Sequence, residues 1–142
     1  MSPQEAYQEY LLRLGDNALI LGQRLSEWCG HGPILEQDIA ITNIALDQVG
    51  QARMAFSHLA KVEQRGRSED DIAFLRKEEE YRNALLVEQP NENWGVTIMR
   101  QFLFDAFNFY FYERLLKTRD EGLRGLAEKA IKEVTYHLRF SS

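Results

Sequence analysis

Residues 96–112 read VTIMRQFLFDAFNFYFY, the most apolar stretch of the chain, interrupted by Arg100, Asp105 and Asn108. A membrane span would tolerate few such groups, so the stretch reads as a helix buried in a protein core. Its density of Phe and Tyr marks it as the central element. Gln89-Pro90-Asn91-Glu92-Asn93 supplies a loop and cap in front of it, giving a helix from about Trp94 to about Lys117.

Helical spacing continues outward from it in both directions. Ser2 can cap a first helix, with Pro3 at the first helical position and Glu5 completing a capping box. Tyr7, Leu11, Leu14, Ala18, Leu21, Leu25 and Trp28 recur at steps of three and four, one packed seam. Gly30-His31-Gly32-Pro33 ends it. A second long helix is expected from about Ile34 to about Gln64, with Leu35, Ala45, Val49, Ala52, Phe56 and Leu59 on its main seam. Arg65-Gly66-Arg67 breaks the chain, and Ser68 with Asp70 and Asp71 starts a third, charged helix over about residues 69–86. Its Arg76-Lys77-Glu78-Glu79-Glu80 run is expected on a solvated face. Asp120 to Gly122 turns the chain into a last helix that is still running at Ser142.

No stretch alternates apolar and polar residues long enough to suggest a sheet. The expectation is a single all-α domain over residues 1–142, a bundle of four long helices with a shorter helix in a crossover. A crossover between the second and third core helices is the ferritin-like arrangement.

Bulk composition narrows the function classes. The 142 residues are 44% hydrophobic and 27% charged, the balance of a globular domain. Seventeen Lys and Arg against 22 Asp and Glu leave a net charge of -5, which offers phosphate backbones and anionic lipid no general attraction. The single Cys29 cannot form an internal disulfide, and the N-terminus lacks a secretory layout, so a cytoplasmic location is expected.

The informative polar residues are those that interrupt apolar helices. Asp16 lies between Leu12 and Ile20, Asp47 near Ile44 and Gly50, and Asp105 beside Phe102 and Phe109. Glu133 and His137 stand four apart, on neighbouring parts of one face. Folding the first two helices about Gly32 sets Asp16 level with Asp47. Folding the last two about Gly122 sets Asp105 level with the Glu133–His137 pair. Four helices presenting carboxylates at one height suggest a di-iron carboxylate site, since buried carboxylates are costly unless paired, protonated or bound to metal. Such a site also needs Glu-x-x-His on two helices, and neither Glu-x-x-His nor Asp-x-x-His occurs here. Position 50, three after Asp47, is glycine, and position 134, three before His137, is valine. Two readings stand: Asp16, Asp47, Asp105, Glu133 and His137 are a degenerate site in a metal-free polar core, paired with Arg, Lys, Asn43 or Gln51, or they are an unusual ligand set.

Other candidates carry less. Glu27 and His31 read as a surface pair, His58 as a partly exposed packing residue, and Cys29 as an inert thiol. The aromatic band from Phe102 to Phe111 fits a core or a subunit interface. Phosphate-binding, nucleophile-elbow and Cys-x-x-Cys motifs do not occur.

Longer segments carry a family resemblance. Leu14-Gly15-Asp16-Asn17, the run from Gln23 to His31, and Leu46-Asp47 followed by Gly50-Gln51-Ala52-Arg53 resemble the PaaC-type subunits of bacterial phenylacetyl-CoA epoxidases. Leu86-Val87-Glu88-Gln89-Pro90-Asn91, Lys129-Ala130-Ile131-Lys132-Glu133 and Tyr136-His137-Leu138-Arg139-Phe140-Ser141 agree in register. The resemblance implies a ferritin-like fold and a part in aerobic phenylacetate breakdown. It implies a hetero-oligomer in which a PaaA-like catalytic subunit holds the di-iron centre and inserts one oxygen atom of O2 into the ring of the CoA thioester, with electrons from a reductase. The PaaC-type chain is then a structural partner with no catalytic, cofactor or metal residues of its own. Family members are longer, so this chain is expected to be an N-terminal part, truncated in the last core helix, with apolar surface exposed from Phe102 to Tyr112. The competing expectations are an autonomous di-iron carboxylate oxygenase or oxidase with atypical ligands, and a helical interaction protein unrelated to oxygenation.

Overall fold

The computed structural model describes all residues, Met1–Ser142, and every regular element in it is helical. Four long helices form the bundle: α1 (Pro3–Ser26), α2 (Leu35–Glu63), α5 (Trp94–Leu115) and α6 (Glu121–Ser141). Between α2 and α5 run two short helices, α3 (Glu69–Phe74) and α4 (Leu85–Glu88), with a 3-10 turn at Glu78–Glu80.

The helix starts follow the caps in the sequence. Glu5 N–H donates to Ser2 Oγ at 3.1 Å, and Ser2 N–H donates back to the Glu5 carboxylate at 2.9 Å. Ser68 and Asp71 repeat the same box at α3. Asn93 caps α5 through Val96 N–H, and Asp120 caps α6 through Leu123 N–H. α2 has no side-chain cap of its own; its Asp38 carboxylate instead takes the N–H groups of Gly30 and Gly32 and ties down the preceding loop.

α1 and α2 pack closest. A Cβ added at Gly15 would collide with the ring of Phe56, a side chain only 1% exposed. Gly15→Ala is therefore expected to destabilise the chain by about 1–3 kcal/mol, read as a lowered midpoint in urea unfolding.

The expected third helix over residues 69–86 does not form. It stops after Phe74 because α1 side chains claim the backbone and the guanidinium that follow. Asp16 accepts the Arg82 N–H at 2.7 Å, and Asn17 accepts the Ala84 N–H at 2.6 Å. Donors given to a neighbouring helix cannot also close an i to i−4 ladder. Arg76, expected on a solvated face, turns inward with its side chain 5% exposed.

Two apolar clusters fill the bundle. One gathers Leu11, Leu19, Phe56, Leu59, Tyr112 and Val134; the other gathers Leu21, Leu25, Ile41, Ile44, Val87 and Phe104. Buried polar side chains lie between them: Gln48 and Gln51 on α2, Gln101, Asp105 and Asn108 on α5, His137 and Ser141 on α6. Leu35 and Val49, expected on the α2 seam, are exposed instead. So is a stripe along α5 formed by Val96, Met99, Leu103, Phe107 and Tyr110, while Phe104 and Tyr112 on the same helix are buried. No helix is long and apolar enough to cross a membrane.

Candidate functional site

The candidate acids occupy three separate environments. Asp16, fully buried on α1, faces the crossover. Arg76 Nη1 donates to its Oδ2 at 3.0 Å, Arg76 Nη2 pairs with Oδ1, and the Arg82 N–H completes the shell. Arg76 also lies 4.2 Å from the centre of the Tyr81 ring, a cation–π contact. Asp16 thus anchors the crossover. It is not level with Asp47 either: Gly22 lies against Ala45, Gln48 and Val49, which sets Asp16 six residues, about 9 Å, further along α1. Taking Gly32 as the fold point misplaced it, because the loop after α1 climbs before α2 begins.

The second environment joins α2 to α6. His137 is fully buried and its Nε2 lies 2.9 Å from Asp47 Oδ2; its Nδ1 lies 3.4 Å from Gln48 Nε2. Burial holds the imidazole pKa below its usual value despite the nearby Asp47 carboxylate. Asp47 can only accept from a neutral ring, so the hydrogen-bond pattern assigns the Nε2–H tautomer. One turn away, Gln51 Nε2 donates to Glu133 Oε1 at 3.3 Å. Burial, reinforced by the nearby Asp47 carboxylate, raises Glu133 to about 7. Asn43, the other expected amide partner, is exposed.

The third environment is Asp105, fully buried between α5 and α6. It accepts from Gln101 Nε2 and from the Ser141 hydroxyl, each at 2.6 Å. Burial pushes its pKa to about 7 against the pull of both donors.

This donor set does not fit a di-iron centre. Such a site draws a carboxylate from each of two helices and a Glu-x-x-His pair from each of the other two. Here one carboxylate is neutralised by a guanidinium, one is held by an amide and a hydroxyl, and a single imidazole serves two helices. No three His, Cys, Asp or Glu side chains stand together as a metal-holding group.

Of the remaining candidates, His58 bonds Tyr7, whose hydroxyl donates to Asp120, at the far end of the bundle. Glu27 pairs with Arg24 and Asn91 rather than with His31, and Cys29 is exposed. Sequence reasoning missed Arg76, Gln48, Gln101 and Ser141. Gln48 was open to detection, since it stands four from both Ile44 and Ala52 on an apolar face.

An antiparallel helical bundle with a long crossover and a polar midline is a ferritin-like protein. The chain belongs to the phenylacetic acid catabolic protein family, whose pattern matches residues 2–142. It is 53% identical over 132 residues to a subunit of the 1,2-phenylacetyl-CoA epoxidase of Escherichia coli (strain K12). That alignment covers 93% of this chain and 53% of the relative, so the chain spans about half the relative's length.

Proposed function

We propose that this chain is a non-catalytic structural subunit of a phenylacetyl-CoA 1,2-epoxidase, pairing with and supporting a PaaA-like catalytic subunit that holds the di-iron centre. The observation that carries this reading is the engagement of every candidate carboxylate within the bundle: Asp16 by Arg76, Asp47 by His137, Glu133 by Gln51 and Asp105 by Gln101 and Ser141. The likeness to an epoxidase subunit supplies the reaction and the company.

In this role the chain acts by positioning. A bundle whose helices are cross-tied at mid-height is a stiff surface against which a partner can fix its ligand-bearing helices. The exposed α5 stripe is a side on which such a partner would bury apolar and aromatic surface.

Reconstitution tests it. The purified chain is expected to retain no stoichiometric iron and to show no epoxidation, and to restore turnover when added to the catalytic subunit and reductase. About two irons per chain with unaided turnover, lost when Asp47 and Asp105 are replaced together, would overturn the proposal in favour of an autonomous oxygenase.

A further inference from the structure

The outer face of α2 is apolar where a bundle helix ordinarily turns polar side chains to water. Leu35, Ile39, Thr42, Leu46 and Val49 follow one another at steps of four and three, the spacing of a coiled-coil seam. They lie opposite the buried Ile41, Ile44 and Gln48, and Leu35 and Leu46 are 70% and 65% exposed. Arg53 continues the same row, which is about 27 Å long from Leu35. Exposed Phe74 shares a cavity wall with Val49 and widens the patch. Single exposed apolar side chains are ordinary on a protein surface; a run of them in heptad register marks a contact face.

We propose that this seam binds a second copy of the chain, the two α2 helices packing antiparallel across a two-fold axis. In heptad terms Ile39, Leu46 and Arg53 hold the a positions, and Leu35, Thr42 and Val49 the d positions. An antiparallel pair stacks a on d, and one register fills every layer: Ile39 on Val49, Leu46 on Thr42, and Arg53 on Leu35 of the second copy. That register is unchanged when the copies are exchanged, as a two-fold contact requires. It also matches charge, because Arg53 then stands beside exposed Glu36 of the second copy. Within its own chain Arg53 spends only Nε, on Glu69, and its Nη groups remain for that carboxylate. Gly50 fits the same arrangement. A glycine inside a long helix costs about 1 kcal/mol against alanine, and open space surrounds this one. In the antiparallel pair it lies next to Glu36 of the second copy and leaves that side chain room to reach Arg53. A parallel pair would instead set the acidic first turns, Glu36 and Asp38, against each other. A contact built on one helix is small for a dimer, so a dissociation constant in the micromolar range is expected. The exposed α5 stripe takes no part in it.

Sedimentation velocity of the full chain over a range of micromolar concentrations is the test, and a reversible monomer–dimer equilibrium is expected. Leu46→Glu is expected to weaken the dimer by roughly tenfold or more, with far-ultraviolet dichroism unchanged because the side chain is exposed. Leu103→Glu, on the α5 stripe, is expected to leave the equilibrium where it was. Arg53→Glu and Glu36→Arg should each weaken the dimer, and the two together in one chain should restore it to within about threefold. A chain that stays monomeric throughout would overturn the proposal, as would a dimer that survives Leu46→Glu or is lost equally with Leu103→Glu. A double charge swap no tighter than either single change would overturn the antiparallel register. Dissolution of the dimer on adding the catalytic subunit would assign the seam to that subunit and overturn the proposal as well. None of these results bears on the iron content or activity by which the proposed function is judged.

Discussion

Asp105→Asn is expected to stabilise the protein at pH 8 and to leave it unchanged at pH 4. In the folded chain the carboxyl titrates at about 7 rather than at 3.8, because desolvation outweighs the two donors that reach it. A carboxyl whose pKa is raised by folding binds more protons in the native state than in the unfolded one across that interval. Its contribution is present in full below pH 4 and is lost as pH rises through 7. The difference amounts to about 4 kcal/mol above pH 7. Asparagine removes the charge and keeps the shape. It also finds a ready partner: Gln101 Oε1 is buried and unpaired, so a flip of that amide lets it accept from Asn Nδ2 while the Ser141 hydroxyl still donates to Asn Oδ1. Urea unfolding of both proteins from pH 4 to pH 9 measures it. Glu133, also raised to about 7, gives the parent chain a slope of the same sign, and His137, held neutral, gives the opposite one. Subtracting the two proteins removes both. Curves that run parallel over the whole range would show that Asp105 does not titrate near neutrality.

The second large effect is expected at the crossover. Arg76→Ala leaves Asp16 as a fully buried carboxylate without its cation, which costs about 3–5 kcal/mol. The ladder of contacts that holds residues 76–84 to α1 loosens with it, since the guanidinium also donates to the carbonyls of Ile72 and Glu80. Unfolding midpoints and the rate of tryptic cleavage after Lys77 or Arg82 are the measurements. Asp16→Asn in the Arg76→Ala background is expected to recover about half of the loss, because an amide left without a cation is far less costly than a carboxylate. Additive losses from the two changes would mean that the pair is not coupled.

Most of the fold was legible because it is written in local chemistry. Ser2 with Glu5, Ser68, Asn93 and Asp120 each start a helix where a short polar side chain precedes an apolar period, and the structure uses all four. The crossover was not legible, because its conformation is set by α1. No pattern within residues 69–86 says that Asp16 and Asn17, over sixty residues away, will take their backbone N–H groups. The polar midline was half legible. Asp105 and His137 announce themselves by interrupting apolar faces, as does Asp16, but the height of Asp16 depends on how far a loop climbs. Counting residues from Gly32 does not measure that. The partners Gln101 and Ser141 were hidden because an amide or a hydroxyl on a helix is ordinarily a surface group.

Trp28, in the turn after α1, and Trp94, at the start of α5, meet edge to face with ring centres 5.1 Å apart, and the Trp28 indole N–H donates to Thr97 on α5. They are the chain's two indoles, and both pack against the apolar cluster of Leu21, Leu25, Ile41, Ile44, Val87 and Phe104. Intrinsic fluorescence therefore watches one end of the molecule, while far-ultraviolet dichroism sums over all of it. Comparing the two signals during melting asks directly whether the halves on either side of the polar layer come apart together or in turn.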